Sequence, residues 1–271
     1  MLLRIRHETR YSYTEPIEYA AQLIRLTPGG HEGQRIVAWR VHEIARGDLP
    51  ASDDGYGNIL HMLTLNRMHQ SATIVAEGEV ETRETHGVVR GAVERFPAGF
   101  YLRPTAATAA DAAMQDFLRG FAGVADPIER LHRAMTAIRG RIDYVTGTTS
   151  VKTTASEAFE QGRGVCQDHA HVFIACARAL DFPARYVSGY LWHPADGEPQ
   201  EASHAWAEAY VGDFGWIGFD PANAMSPTEA YVRVAVGLDY HAAAPIRGVW
   251  RGKADETLAV RIEVQQVQAQ Q

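Results

Sequence analysis

Two glycines, Gly162 and Gly164, bracket Arg163 immediately before Val165-Cys166-Gln167-Asp168-His169. Glycine at that density belongs to a turn and not to a helix interior. From Cys166 onward the pattern changes: Ala170, Phe173, Ile174, Ala177 and Leu180 recur at helical spacing, which describes a mostly buried helix. Asp181 and Pro183 stop it. Any fold of this chain has to be built around an apolar helix whose first turn carries Cys166.

That position has chemical consequences. The first N–H groups of a helix lack internal partners, and the macrodipole places partial positive charge there. A thiolate is favoured over a thiol at such a point, and the same N–H groups suit an oxyanion. A histidine that takes the thiol proton and a carboxylate that orients it would complete a nucleophilic triad. Both occur downstream, in Ser203-His204-Ala205-Trp206 and Gly218-Phe219-Asp220-Pro221. Residues 203–211 alternate, with His204, Trp206, Glu208 and Tyr210 on one face and Ala205, Ala207, Ala209 and Val211 on the other. With a second short strand at 216–220 and Gly212-Asp213-Phe214-Gly215 between, this is a hairpin signature. A loop of 211–215 pairs Tyr210 with Trp216 and leaves Asp220 diagonal to His204 on one face, at about 7–8 Å between backbones. A four-residue loop sends Asp220 to the other face, so a triad demands an odd loop or a bulge. Cys166 is then expected against the face of His204 and Trp206, its sulfur near one imidazole nitrogen and Asp220 near the other.

Gly-Val-Cys-Gln-Asp at the helix start, His-Ala-Trp opening a strand and Phe-Asp-Pro closing the next resemble the bacterial transglutaminase-like superfamily, whose members share the papain-like cysteine-proteinase fold. The resemblance spans roughly residues 126–225, and three motifs in order are far more specific than a lone cysteine. It implies Cys166 as nucleophile, His204 as base and Asp220 as orienting acid. It also implies Tyr144 as an aromatic close to the active centre, and Gln167 and Trp206 as candidate substrate-binding or oxyanion residues. His169 departs from the pattern, standing where an aromatic or apolar residue is expected beside the thiol.

The remaining chain supports an α+β protein. Leu3, Ile5, His7, Thr9, Tyr11 and Tyr13 alternate with Arg4, Arg6, Glu8 and Arg10, as a half-buried strand does. Further strands are expected at 20–26, 36–44, 58–65 and 72–81, separated by turns such as Thr27-Pro28-Gly29-Gly30. The spacing predicts an antiparallel β-sandwich or barrel over 1–85. Arg6-His7-Glu8-Thr9-Arg10-Tyr11 and Leu26-Thr27-Pro28 resemble the β-rich N-terminal domain that often precedes such cores. A Gly- and Pro-containing connector is expected at 86–105, and a papain-like core, its central helix packed on an antiparallel sheet, at 106–271. Within the core, helices are expected over 108–121 and from Asp126, an N-cap followed by Pro127 at the first helical position. Thr154 and Glu157 predict a capping box, residues 185–190 a strand on the central helix, and Leu258-Val260-Ile262-Val264 another strand. Fraying is expected from Gln265 onward.

A net charge of −7 argues against nucleic acid or an anionic membrane as partner. Met1 to His7 is too charged for a signal peptide and no stretch reaches membrane-spanning length, so a cytoplasmic location is expected. Two cysteines form no disulfide framework, and the histidines show no zinc spacing, so no cofactor is expected. Cys176, mid-helix among Ile174, Ala175 and Ala177, fits an inert small hydrophobe. The function expected is cysteine-dependent acyl transfer on a peptide or protein amide through a thioester, ending in peptidase or amidase hydrolysis or in protein-glutamine cross-linking. The alternative is a non-catalytic binding or assembly module that recognises partners through its N-terminal domain.

Overall fold

The structure is a computed structural model of the 271-residue chain and describes residues 1–194 and 203–267. Its first strand, Leu2–Ile17, buries alternate residues, as the sequence alternation predicts. It pairs antiparallel with His69–Thr82, which in turn pairs with Gln34–Glu43. A second antiparallel sheet joins Tyr19–Thr27 to Ile59–Leu65. Tyr11, Tyr13, Ile17, Ile24, Leu63, Leu65, Ile74 and Ala76 fill one apolar cluster drawn from both sheets. The N-terminal region is therefore a sandwich.

The division of the chain at 106 does not describe the pairing. Strand Glu256–Gln266 completes the first sandwich sheet beside Leu2–Ile17, and Ile246–Arg251 completes the second beside Tyr19–Thr27. The end of the chain thus returns to the sandwich, which closes two edges that would otherwise expose unpaired backbone. Gln265 and Gln266, expected to fray, lie in the outer strand; residues 268–271 lie outside the described residues. The connector is also structured. Val88–Val89 adds an edge strand to the core sheet against Trp216 and Ile217, and Phe96 and Phe100 stack at 4.0 Å between ring centroids.

The core sheet runs Tyr231–Gly237, Ala184–Leu191, Ser203–Val211, Gly215–Phe219 and Val88–Val89. Helix Cys166–Ala179 lies against one face of it. There Ala170, Phe173, Ile174 and Ala177 share an apolar cluster with Ala205, Ala207, Ala209, Ile217 and Phe219. Helix Pro127–Arg141 packs into the same cluster, capped by Asp126, whose side chain accepts from the Glu129 N–H at 2.7 Å. The expected helix at 108–121 is shorter and interrupted: Ala112–Leu118 is α-helical, begun by Asp111 accepting from Met114, with 3-10 turns on either side. Among the described residues no helix is long and apolar enough to cross a membrane.

Candidate active site

The helix preceding the site, Ala155–Gln161, carries the expected Thr154–Glu157 capping box and ends on Gly162 in the left-handed conformation (φ 64°). The chain then runs through Arg163–Gly164, paired in parallel with Asp143–Tyr144, so Cys166 begins the central helix at a fixed place. A Cβ on Gly164 would lie 2.6 Å from the Asp168 carboxylate, so glycine is required where the turn folds onto the helix. Asp168 Oδ2 accepts from the Val165 N–H at 2.8 Å and from the Thr149 hydroxyl at 2.7 Å. Burial raises its pKa against the pull of those bonds. The structure makes Asp168 a cap of the first turn.

The hairpin has the register a triad needs. Tyr210 pairs with Trp216 and Val211 with Gly215, leaving the odd loop Gly212–Phe214. Gly212 (φ 45°) and Gly215 (φ 79°) supply the positive φ values that turn requires. Asp220 and His204 thereby share a face, and His204 Nε2 meets Asp220 Oδ2 at 2.6 Å. Asn223 Nδ2 lies 3.5 Å from the same nitrogen, and Cys166 acts on the ring by hydrogen bonding and charge. Burial would lower the pKa of His204, but the hydrogen bonds and negative charges of Asp220 and Cys166 push it up to about 10. For Asp220, bonds from His204, Tyr231 and Asn223 overcome burial and lower its pKa. A thiol, an imidazole and a carboxylate thus come together at the start of the central helix.

One expectation is corrected by the packing. The helix lies against the alanine face of strand Ser203–Val211, while Trp206 belongs to a separate cluster with Val187, Leu191, Tyr231 and Val236. His204 and Cys166 both stand at the start of their elements, and they meet there. The reason is steric. A helix packs closely on a sheet where the facing residues are small, and the alanines supply that face.

The other expected residues are placed as follows. Trp206, 2% exposed, stacks behind His204 at 6.3 Å between centroids, away from the helix. Gln167 is buried and its side-chain amide reaches the Val151 carbonyl at 3.4 Å. Tyr144 is exposed and lies over the His169 ring at 6.1 Å. His169 is fully buried, its ring nitrogens 2.9 Å from the Val165 carbonyl and 3.1 Å from that of Ile142, so it ties the helix start to the preceding segment. Burial raises the Cys176 thiol to about 12, in keeping with an inert core residue. Among the described residues no group of three or more His, Cys, Asp or Glu side chains is placed to hold a metal ion.

Two residues of the site escaped the sequence. Asn223 Nδ2 donates to Asp220 Oδ2 at 2.8 Å, and the Tyr231 hydroxyl donates to the same oxygen at 2.8 Å. The available signal was the aromatic and β-branched alternation of 231–237, which marks a strand.

Comparison with known proteins gives the family and the fold. Residues 115–221 match the transglutaminase-like superfamily, and residues 3–81 match the bacterial transglutaminase-like N-terminal region. An uncharacterized protein of Mycobacterium leprae is 32% identical over 276 residues, covering 97% of this chain and 98% of its own. One from Mycobacterium tuberculosis is 30% identical over 287 residues, covering 96% of this chain and 91% of its own. The crystal structure of a "putative cysteine protease" from Cytophaga hutchinsonii superposes with a TM-score of 0.77 at 20% identity, covering 100% of this chain and 92% of that one, a likeness of fold. With both regions matched in order, the chain belongs to the transglutaminase-like superfamily and carries that superfamily's bacterial N-terminal region.

Proposed function

We propose that the protein is a cysteine-dependent acyl-transfer enzyme acting on amides, with Cys166 as nucleophile, His204 as base and Asp220 as orienting acid. The observation that carries this reading is that His204, bonded to Asp220 at 2.6 Å, is also acted on by the side chain of Cys166, which begins a helix. His204 takes or shares the thiol proton, and the thiolate attacks the amide carbonyl carbon. Negative charge on the carbonyl oxygen is met by N–H groups of the first helical turn, among them that of Cys166. Collapse of the tetrahedral adduct expels the amine, which takes the proton from His204. The resulting thioester passes its acyl group to water, as in a peptidase or amidase, or to an amine, as in cross-linking. Water access to the thioester decides between them, and hydrolysis of a peptide-like amide is the leading form of the proposal. A cytoplasmic setting belongs to the same reading, supported by two free cysteines, one of them the nucleophile, which a reducing compartment preserves. The test is mass spectrometry of the protein after incubation with a panel of peptide and glutamine amides. An acyl adduct on the Cys166 peptide, absent from Cys166→Ala, is the expected result; no adduct with any amide counts against it.

A further inference from the structure

We propose that Tyr231 is a positioning residue of the Cys166–His204–Asp220 site, and that the N-terminal sandwich holds it in place through Gln34. The proposal rests on the catalytic reading of that site and deepens it by giving the sandwich a role in it.

The Asp220 carboxylate is held on both oxygens. Oδ1 accepts the backbone N–H groups of Ala222 (3.0 Å) and Asn223 (3.2 Å). Oδ2 accepts from His204 Nε2, Asn223 Nδ2 and the Tyr231 hydroxyl. Tyr231 is 6% exposed, and its ring packs edge-on against Trp206 at 5.4 Å and against His204 at 5.9 Å. It therefore fixes the carboxylate, and it also draws charge from the oxygen that faces the imidazole. That second effect matters because a base held too strongly as imidazolium is slow to pass its proton to a leaving amine.

Tyr231 opens the strand Tyr231–Gly237 at the edge of the core sheet; among the described residues that strand has one strand neighbour, Ala184–Leu191. Two side-chain amides of the sandwich cover the opposite edge. Gln34 Nε2 donates to the Arg233 carbonyl at 2.8 Å while the Arg233 N–H donates to Gln34 Oε1 at 2.8 Å. Asn58 repeats the arrangement at Val236, with Nδ2 to the carbonyl and the N–H to Oδ1, both 2.8 Å. Each amide presents one donor and one acceptor, the pair a neighbouring strand residue would offer. Gln34 acts two residues from Tyr231, and Asn58 five residues away.

The experiment measures the rate of Cys166 alkylation by iodoacetamide across pH, with the site of labelling read by mass spectrometry and a thermal melt for each variant. The groups facing His204 are Cys166 from the central helix, Asp220 and Asn223 beyond the hairpin, Tyr231 from the outer strand and Trp206 on its own strand. His193, after strand Ala184–Leu191, feels the charge of His204. Of these, Tyr231→Phe alters only one hydroxyl. It is expected to move the high-pH limb, where imidazolium is lost, upward by about half a pH unit, the share of one among several bonds to a carboxylate. Gln34→Ala is expected to move it the same way by less, and Asn58→Ala to lower the melting temperature with the limb unmoved. Gln34→Ala leaves Tyr231 intact and carries the test if the Phe variant does not fold. Limbs identical to wild type in both Tyr231→Phe and Gln34→Ala overturn the positioning role. A limb moved by Tyr231→Phe and not by Gln34→Ala overturns the part assigned to the sandwich. A wild-type profile matching a free thiol removes the catalytic reading, and this proposal with it.

Discussion

His204 and Glu208 stand four residues apart on one strand, on one face, and both are buried. Glu208 is enclosed by arginines: Arg185 Nε at 2.6 Å and Arg233 Nε at 2.7 Å. Arg185 also bonds Glu94 at 2.8 Å and lies 3.8 Å over the Trp216 ring. This cluster is closed, with each carboxylate answered by a guanidinium. The His204 cluster is satisfied on the Asp220 side and opens, on the other, to the partly exposed Cys166. Burial of charge is common to both and so does not mark the one proposed to be catalytic. What separates them is a cysteine at a helix start, the proposed nucleophile, beside one cluster and not the other.

The comparison is tested most severely by removing that nucleophile. Cys166→Ala is expected to abolish acyl transfer while the fold survives, read as loss of turnover on whichever amide acylates the wild-type protein. Asp220→Asn should keep the fold and lose roughly two to four powers of ten in turnover, the usual effect of an orienting carboxylate. Wild-type turnover in that variant would take Asp220 out of the mechanism. Glu208→Gln should do the opposite, costing about 3–5 kcal/mol of stability because the buried Arg185 is left with Glu94 alone and Arg233 loses its carboxylate. Turnover per folded molecule should stay near wild type. A stable Glu208→Gln protein with a hundredfold loss of turnover would break the distinction between the two clusters.

Much of the site was legible in sequence because its signals are local. A Gly-flanked turn, a helical stripe and two short alternating strands place Cys166, His204 and Asp220, and parity of the loop decides whether the last two share a face. The face that meets the helix was not legible. Ala205, Ala207 and Ala209 look like the less committed side beside His204, Trp206 and Glu208, yet they are the side packed on the helix, since the sheet is buried on both faces. Tyr231 was missed because a strand pairing brings it to Asp220, whereas Asn223 lies only three residues beyond Asp220 and was not read as its partner. The strand at 246–251 was not singled out, and the one read from Leu258-Val260-Ile262-Val264 was counted with the core although it pairs in the sandwich, because alternation reveals a strand and says nothing of its neighbour.

The two clusters should also fail at opposite ends of the pH scale. The folded-state pKa of His204 is raised from 6.5 to about 10, so its contribution to stability is full below 6.5 and is lost as pH rises toward 10. Burial opposes ionisation of Glu208, but Arg233 and Arg185 lower its pKa from 4.5 to about 2. Its contribution is full above 4.5 and is lost as pH falls toward 2. Burial also lowers His7, His31 and His171 to about 4, which adds acid lability between 6.5 and 4. The Glu208 share is therefore isolated as the difference between wild type and Glu208→Gln. Urea unfolding from pH 6.5 to 9 should show a slope that His204→Ala flattens, and from pH 4.5 downward one that Glu208→Gln flattens. The same slopes in both variants would mean that neither cluster stores the pH dependence assigned to it.

The smallest expected effect carries the contrast along the central helix. Cys176 lies ten residues, nearly three turns, beyond Cys166 and is fully buried among Phe173, Ile174 and Ala177. Its thiol is held neutral by burial, with a pKa raised from 9.0 to about 12. It has neither a helix start nor an imidazole to make it reactive. Cys176→Ala removes one sulfur from a packed core, a change of about 1 kcal/mol in unfolding free energy, and leaves the pH profile of Cys166 alkylation where it was. The measurement is a urea titration beside the alkylation profile. A destabilisation without kinetic change is expected, and an altered profile would show that the helix couples its two ends more tightly than packing alone provides.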